Sequence, residues 1–145
     1  MGAVTFKFQD KQDCIVSECY IYAPTDLIGG ESVKRVKVLN ALWDTGASGS
    51  LISLRAAEKL GLKSIGKTGV SGYNNSIDVK DTYLVHFGLP TGDIVTNIEA
   101  TECNSDEYDA VIGMDIICKG DFAITNKNGH TTFAFRIPSQ EEIVF

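Results

Sequence analysis

Long apolar runs are missing from this 145-residue chain, and nothing in it approaches the roughly 18 consecutive apolar positions that a membrane-spanning helix needs. Basic charge is also scarce. Thirteen Lys and Arg stand against nineteen Asp and Glu, a formal net charge of -6. That balance leaves no basic surface to neutralise phosphates, so neither nucleic acid nor an anionic membrane is an expected partner. Histidine is limited to two residues, His86 and His130, far apart in the chain. A metal cluster or a Ser-His triad has little to work with there, and no metal and no cofactor is expected. The four cysteines, Cys14, Cys19, Cys103 and Cys118, include no Cys-x-x-Cys pair and are too few for a disulfide scaffold. Reduced, structural thiols are the expectation. Internal repeats, linkers and low-complexity tracts are absent as well. An apolar fraction of 43% with 22% charged residues fits a chain that folds. Its length suits one domain, residues 1–145. Lys7, Asp10, Lys11 and Asp13 stand where a signal peptide would need its apolar core, which points to a cytoplasmic location.

What the chain does have is β-prone sequence. Such runs recur at residues 4–8, 14–22, 33–43, 77–87, 94–100, 110–112, 122–125 and 131–137. Turn signals separate them: Gly29-Gly30, Pro90-Thr91-Gly92-Asp93 and Asn126-Lys127-Asn128-Gly129, the last with an Asn-Gly pair suited to a tight hairpin. The fold class is therefore mostly β, with local antiparallel connections. One helix interrupts it. Ser53 can cap this helix, Leu54, Ala57 and Leu60 give it an apolar face, and Gly61 is placed for the left-handed residue at its end. A second, shorter helix is expected near Met114.

The most informative segment follows residues 36–43, a β-prone run that delivers a carboxylate, Asp44, to its end. Thr45, Gly46, Ala47, Ser48, Gly49 and Ser50 come next, all small. A tight loop is expected there. Gly46 lets backbone approach backbone, and small neighbours leave Asp44 within reach of a substrate. On the tripeptide alone, an Asp-Thr-Gly turn closing a hairpin is the plainer reading.

Context changes that reading. Leu42-Trp43-Asp44-Thr45-Gly46-Ala47-Ser48 resembles the signature of the retropepsin-like aspartic peptidases, including bacterial single-domain members: two apolar residues, Asp-Thr/Ser-Gly-Ala and a Ser-rich stretch. Val111-Ile112-Gly113-Met114-Asp115-Ile116-Ile117 resembles their second signature. Gly69 to Ser76, with Gly72 and Tyr73, resembles the glycine-rich hairpin, or flap, that lies between the two. The resemblance covers roughly residues 33–125. It implies a closed β-barrel with one or two short helices, and an aspartic endopeptidase that acts on protein or peptide substrates. Asp44 would be the catalytic residue. Thr45, Gly46, Ala47, Ile112 and Gly113 would support the active-site loop, while Gly69, Gly72 and Tyr73 would bind substrate from the flap. Asp-Thr/Ser-Gly occurs once in this chain, so a working carboxylate pair requires a homodimer that brings Asp44 to Asp44. One departure stands out. Many retroviral members carry Arg after the second glycine, paired with an acidic residue after the first signature; Met114 and Ser48 occupy those positions here.

Rival readings are weaker. Gly61-Leu62-Lys63-Ser64-Ile65-Gly66-Lys67-Thr68 fits a nucleotide-binding loop letter for letter, but that loop needs a strand before it and a helix after it. Here a helix precedes and a Gly/Asn-rich segment follows. The competing function is a domain that keeps the fold yet only binds proteins or dimerises, with activity weak or lost. The apolar tail end, Ile143, Val144 and Phe145, suggests that residues 138–145 help hold a dimer.

Overall fold

The computed structural model describes residues 2–24, 34–71 and 76–145. In chain order, the described elements begin β1 (Gly2–Lys7), β2 (Ile15–Tyr22), β3 (Arg35–Trp43), β4 (Leu51–Ser53) and α1 (Leu54–Lys59). They continue with β5 (Gly66–Ser71), β6 (Ile77–Gly88), β7 (Ile94–Cys103), β8 (Ala110–Ile112), α2 (Met114–Ile117), β9 (Asp121–Thr125) and β10 (Thr132–Ile137). The chain is thus mostly β with two short helices, as its sequence predicts. β4 and β5 are the strands that the apolar pattern alone does not announce: β4 is three residues long, and β5 is exposed along its whole length.

Most strands join one sheet in the order β2-β3-β8-β4-β7-β6-β5. β2 also pairs with β6, through Tyr20 to Gly88 and Tyr22 to His86, so the path from β2 round to β6 returns to its start. β5 extends from β6 as a hairpin arm. Two pairings correct the expectation of purely local antiparallel connections. β3 runs parallel to β8 and β4 parallel to β7, each joined across a long stretch of chain. The β3–β8 pair brings the two signature segments together, and no turn signal in the sequence encodes either pairing.

A bulge tunes the strand that leads to Asp44. β2 and β3 pair Ser17 with Ala41 but Cys19 with Val38, so two residues of β3 stand opposite Glu18. The extra residue resets the inward phase. Val38 is buried before the bulge and Ala41 and Trp43 after it, while Leu39 is turned out to solvent. In β2, burial raises the Cys19 thiol to about 12, leaving it protonated and unreactive. All four cysteines are free.

A second, three-stranded sheet, in the order β1-β10-β9, packs on the first. Its inner face offers Phe122, Phe133 and Phe135, whose rings lie 6.3, 5.0 and 5.0 Å from that of Trp43. One core runs through both sheets. The Asn-Gly pair does turn the chain between β9 and β10, with Asn128 and Gly129 at positive φ values of 57° and 77°, but within a longer loop, residues 126–131, that holds a 3-10 turn at Lys127–Gly129 rather than in a tight hairpin. Helix α1 begins as expected, with the Ser53 hydroxyl accepting from the Ala56 amide at 3.1 Å, and Gly61 at φ 63° follows it. Its buried face is Ala56, Ala57 and Leu60 rather than one including Leu54, which is 46% exposed.

Residues 138–145 form no strand within the chain. Asp121 anchors their start, accepting from Ser139 Oγ at 2.5 Å, Gln140 N at 2.9 Å and Arg136 Nε at 2.7 Å. The Ser139 hydroxyl foremost, then the Gln140 amide and Arg136, hold the Asp121 carboxyl well below the usual carboxylate range. A folded-state pKa lowered in this way contributes stability above the ordinary carboxylate pKa and loses it only as pH falls through the lowered value. The anchor therefore persists in mildly acidic solution.

Candidate active site

Asp44 sits directly beyond β3, where its neighbour strand β8 ends. Trp43 pairs with Ile112, and the Asp44 amide donates to the Ile112 carbonyl at 2.9 Å. The chain then turns. Asp44 Oδ1 accepts from the Gly46 amide at 2.8 Å, and the Ala47 amide donates to the Asp44 carbonyl at 3.2 Å. The carboxylate is thereby oriented by its own loop, while no described residue donates to Oδ2. Asp44 is half-buried, with Thr45 and Gly46 exposed beside it. Beneath them Ile112 is fully buried, an apolar floor where electrostatic interactions are screened less than in water.

The loop of residues 44–50 is stitched to the start of α2. Met114 N donates to the Ala47 carbonyl at 2.8 Å and Asp115 N to the Ser48 carbonyl at 3.2 Å. Gly113 lies between them, and its requirement is space. A Cβ there would stand 2.6 Å from the Gly49 carbonyl oxygen and 2.9 Å from that of Ala47, so any other residue would push the loop away.

Met114 and Ser48 cannot form the Arg–acid pair of retroviral members, and another pair does the fastening. Ser50 donates to Asp115 twice, from its amide at 3.0 Å and its hydroxyl at 2.6 Å. The same hydroxyl accepts from the Gly113 amide at 3.0 Å. Ser50 is 1% exposed, so these bonds stand clear of water's competition. Sequence reasoning missed Gly49, Ser50 and Asp115. The available signal was the acidic residue two positions after the glycine of the second signature, together with the serine-rich loop after Asp44. Replacing Ser50 with Ala would leave the Gly113 amide and an Asp115 oxygen short of a partner, at a cost of about 1–3 kcal/mol. Urea denaturation reads that loss directly; an unchanged midpoint would show that the link contributes nothing.

Beside Asp44 opens a cavity of about 360 Å³. Leu42, Asp44 and Thr45 line it together with Phe122 and Ile124 of β9. These β9 residues are nearly eighty positions from Asp44, and nothing in the sequence pointed to them.

The flap expectation is placed only in part. β5 and β6 pair from Gly66 with Thr82 to Ser71 with Ile77, a hairpin that includes Gly69. Val70, Ile77 and Val79 are exposed on it. Gly72 and Tyr73 lie outside the described residues. The same hairpin disposes of the nucleotide-loop reading. Gly66, Lys67 and Thr68 are in a strand that follows a helix, and Lys67 is ion-paired with Asp81 at 3.1 Å. Of the histidines, His86 is buried with its Nδ1 accepting from the Asn97 amide at 2.9 Å, which commits that nitrogen to the fold. His130 is exposed. Among the described residues, no helix is long and apolar enough to cross a membrane.

Comparison with known proteins agrees with this geometry. A search of curated proteins finds no match. Among solved structures, a retropepsin-like aspartic protease from Rickettsia conorii superposes with a TM-score of 0.52 over 91% of each chain, at 15% identity, which shows a shared fold. The family model described as aspartyl protease matches residues 28–116, a span that holds the first signature and the second up to Ile116. More than half of the chain is matched, both signatures meet at one loop, and the fold is retropepsin-like: this chain belongs to the aspartyl protease family.

Proposed function

We propose that the protein is an aspartic endopeptidase in which two copies of the chain each contribute Asp44 to one site. The observation that carries this reading is Asp44 itself. Its carboxylate is fixed by the Gly46 amide at the edge of a cavity, with no cation paired to it among the described residues, and the chain supplies one such carboxylate.

Two like-charged carboxylates held close cannot both ionise readily, so the pair shares a proton, a behaviour for which aspartic peptidases are the type example. The ionised Asp44 takes a proton from water as its oxygen attacks the scissile carbonyl carbon. The protonated Asp44 donates to the carbonyl oxygen. As the tetrahedral species collapses, the C–N bond breaks and the departing nitrogen receives a proton from the pair. The pKa values of such a site belong to the pair and not to either member. Thr45 and Gly46 would support the loop, Gly113 would keep the loop seated, and the β5–β6 hairpin would cover an extended peptide bound through its backbone. The continuous core favours reading residues 1–145 as one catalytic domain.

Incubation of the purified chain with a diverse peptide library at mildly acidic pH tests this reading. Cleavage is expected, with activity per chain falling on dilution below the dimer dissociation constant. A chain that dimerises and binds peptides without cutting any would favour the binding-module alternative.

A further inference from the structure

We infer that Asp13 gives the site a preference for peptides that carry lysine or arginine close to the scissile bond. The inference rests on the two-chain peptidase proposed above, and it names the class of substrate that such a site selects.

The lining of the cavity beside Asp44 is divided in character. Leu42, Phe122 and Ile124 make it apolar, and its two charged side chains, Asp44 and Asp13, are both acidic. Among the described residues, no lysine, arginine or histidine lines it. Asp44 is committed to the chemistry, whereas the mechanism has no use for Asp13. That residue is exposed and has no ion-pair partner among the described residues. A carboxylate without a cation of its own, set in the wall of an apolar cavity, suits a cation that the ligand brings.

The register of the strands fixes where this carboxylate acts. β2 pairs Ile15 with Trp43, so the chain just before β2 runs alongside Asp44. Strand dimensions put Asp13 within about 10 Å of Asp44, a span that an extended peptide covers in about three residues. The loop that carries Asp13 is held in place. The Gln12 amide donates to Thr131 Oγ1 at 2.8 Å, and that fully buried hydroxyl donates in turn to Asn126 Oδ1 at 2.6 Å. The Thr131 amide donates back to the Asp10 carbonyl at 3.4 Å. With Asp10 and Gln12 tied down, Asp13 meets a ligand without the cost of ordering a loose loop. The twofold axis of a two-chain site repeats the arrangement, giving one Asp13 on each side of the scissile bond.

Cleavage by the full chain of a peptide library randomised on both sides of the scissile bond, read by mass spectrometry, tests the inference. Within about three residues of the bond, lysine or arginine should be favoured over glutamine by about 5–20-fold in kcat/KM. Asp13→Asn should bring that ratio close to one, and Asp13→Lys should turn the preference towards glutamate. Added salt should weaken the wild-type preference. Both variants should keep the wild-type circular dichroism spectrum, because Asp13 is exposed and unpaired. A merely structural Asp13 would alter the rate on every peptide alike and leave the ratio where it was. Fluorescence anisotropy of matched apolar peptides bearing lysine or glutamine, on Asp44→Asn protein with and without Asp13→Asn, reads the same preference in the absence of hydrolysis. Cleavage with no basic preference, or with one that Asp13→Asn leaves unmoved, would overturn the inference and leave the peptidase reading standing. Binding that prefers lysine through Asp13, in a wild-type protein that cuts nothing, would refute the peptidase reading alone. A protein that neither cuts nor binds these peptides would refute both.

Discussion

Asp44→Asn is expected to abolish peptide hydrolysis, lowering kcat/KM by roughly ten-thousand-fold or more, because it removes the acid–base pair from both halves of the site at once. The substitution is nearly isosteric. An asparagine carbonyl still accepts from the Gly46 amide, and the backbone bonds to Ile112 and Ala47 are untouched. Fold and assembly should therefore survive, which separates lost chemistry from lost structure. Single-turnover cleavage of a library-derived substrate, with circular dichroism on the same samples, checks both. A variant that cuts at the wild-type rate would remove Asp44 from the chemistry.

Trp43→Ala should be the most damaging core substitution near the site, at about 3–5 kcal/mol. Trp43 is 5% exposed and touches Phe122, Phe133 and Phe135, so its ring couples the three-stranded sheet to the strand that carries Asp44. Its indole N–H also donates to Ser17 Oγ at 2.9 Å, across β2 and β3. Truncation opens a cavity between the sheets and removes that bond. For a domain of this length the melting temperature should fall by roughly 10–20 °C in calorimetry. A fall of only a few degrees would mean that the two sheets hold together without this residue.

How much of this was legible in the sequence differs by segment. Local signals were readable: the Ser53 cap, Gly61 after the helix, the Asn128-Gly129 turn and the loop beginning at Asp44 all declare themselves within a few residues. The bearing of Gly113 on that loop was readable only by resemblance. Its physical cause, the backbone of Ala47 and Gly49 pressed against it, is a contact between segments more than sixty residues apart. Asp115 and Ser50 escaped notice for the same reason. Each is an ordinary polar residue until the antiparallel pairing of β4 with β8 sets them face to face. β4 is too short to show any periodicity, and β5 is too exposed and glycine-rich to look like a strand before β6 pairs with it. The path of the tail was not legible either: within one chain Asp121 draws Ser139 and Gln140 into an irregular course, a set of contacts made across almost twenty residues.

The proposal that two Asp44 carboxylates make one site is tested most directly by mixing chains. Wild-type protein at fixed concentration, above its dissociation constant, is allowed to exchange subunits with increasing Asp44→Asn protein, and peptide cleavage is measured. Random pairing distributes wild-type chains into dead mixed dimers, so activity should fall to about one half at equal amounts and to about one tenth at ninefold excess. Activity that stays constant at every ratio, with subunit exchange verified, would show that a single chain carries a complete site and would contradict the two-chain mechanism.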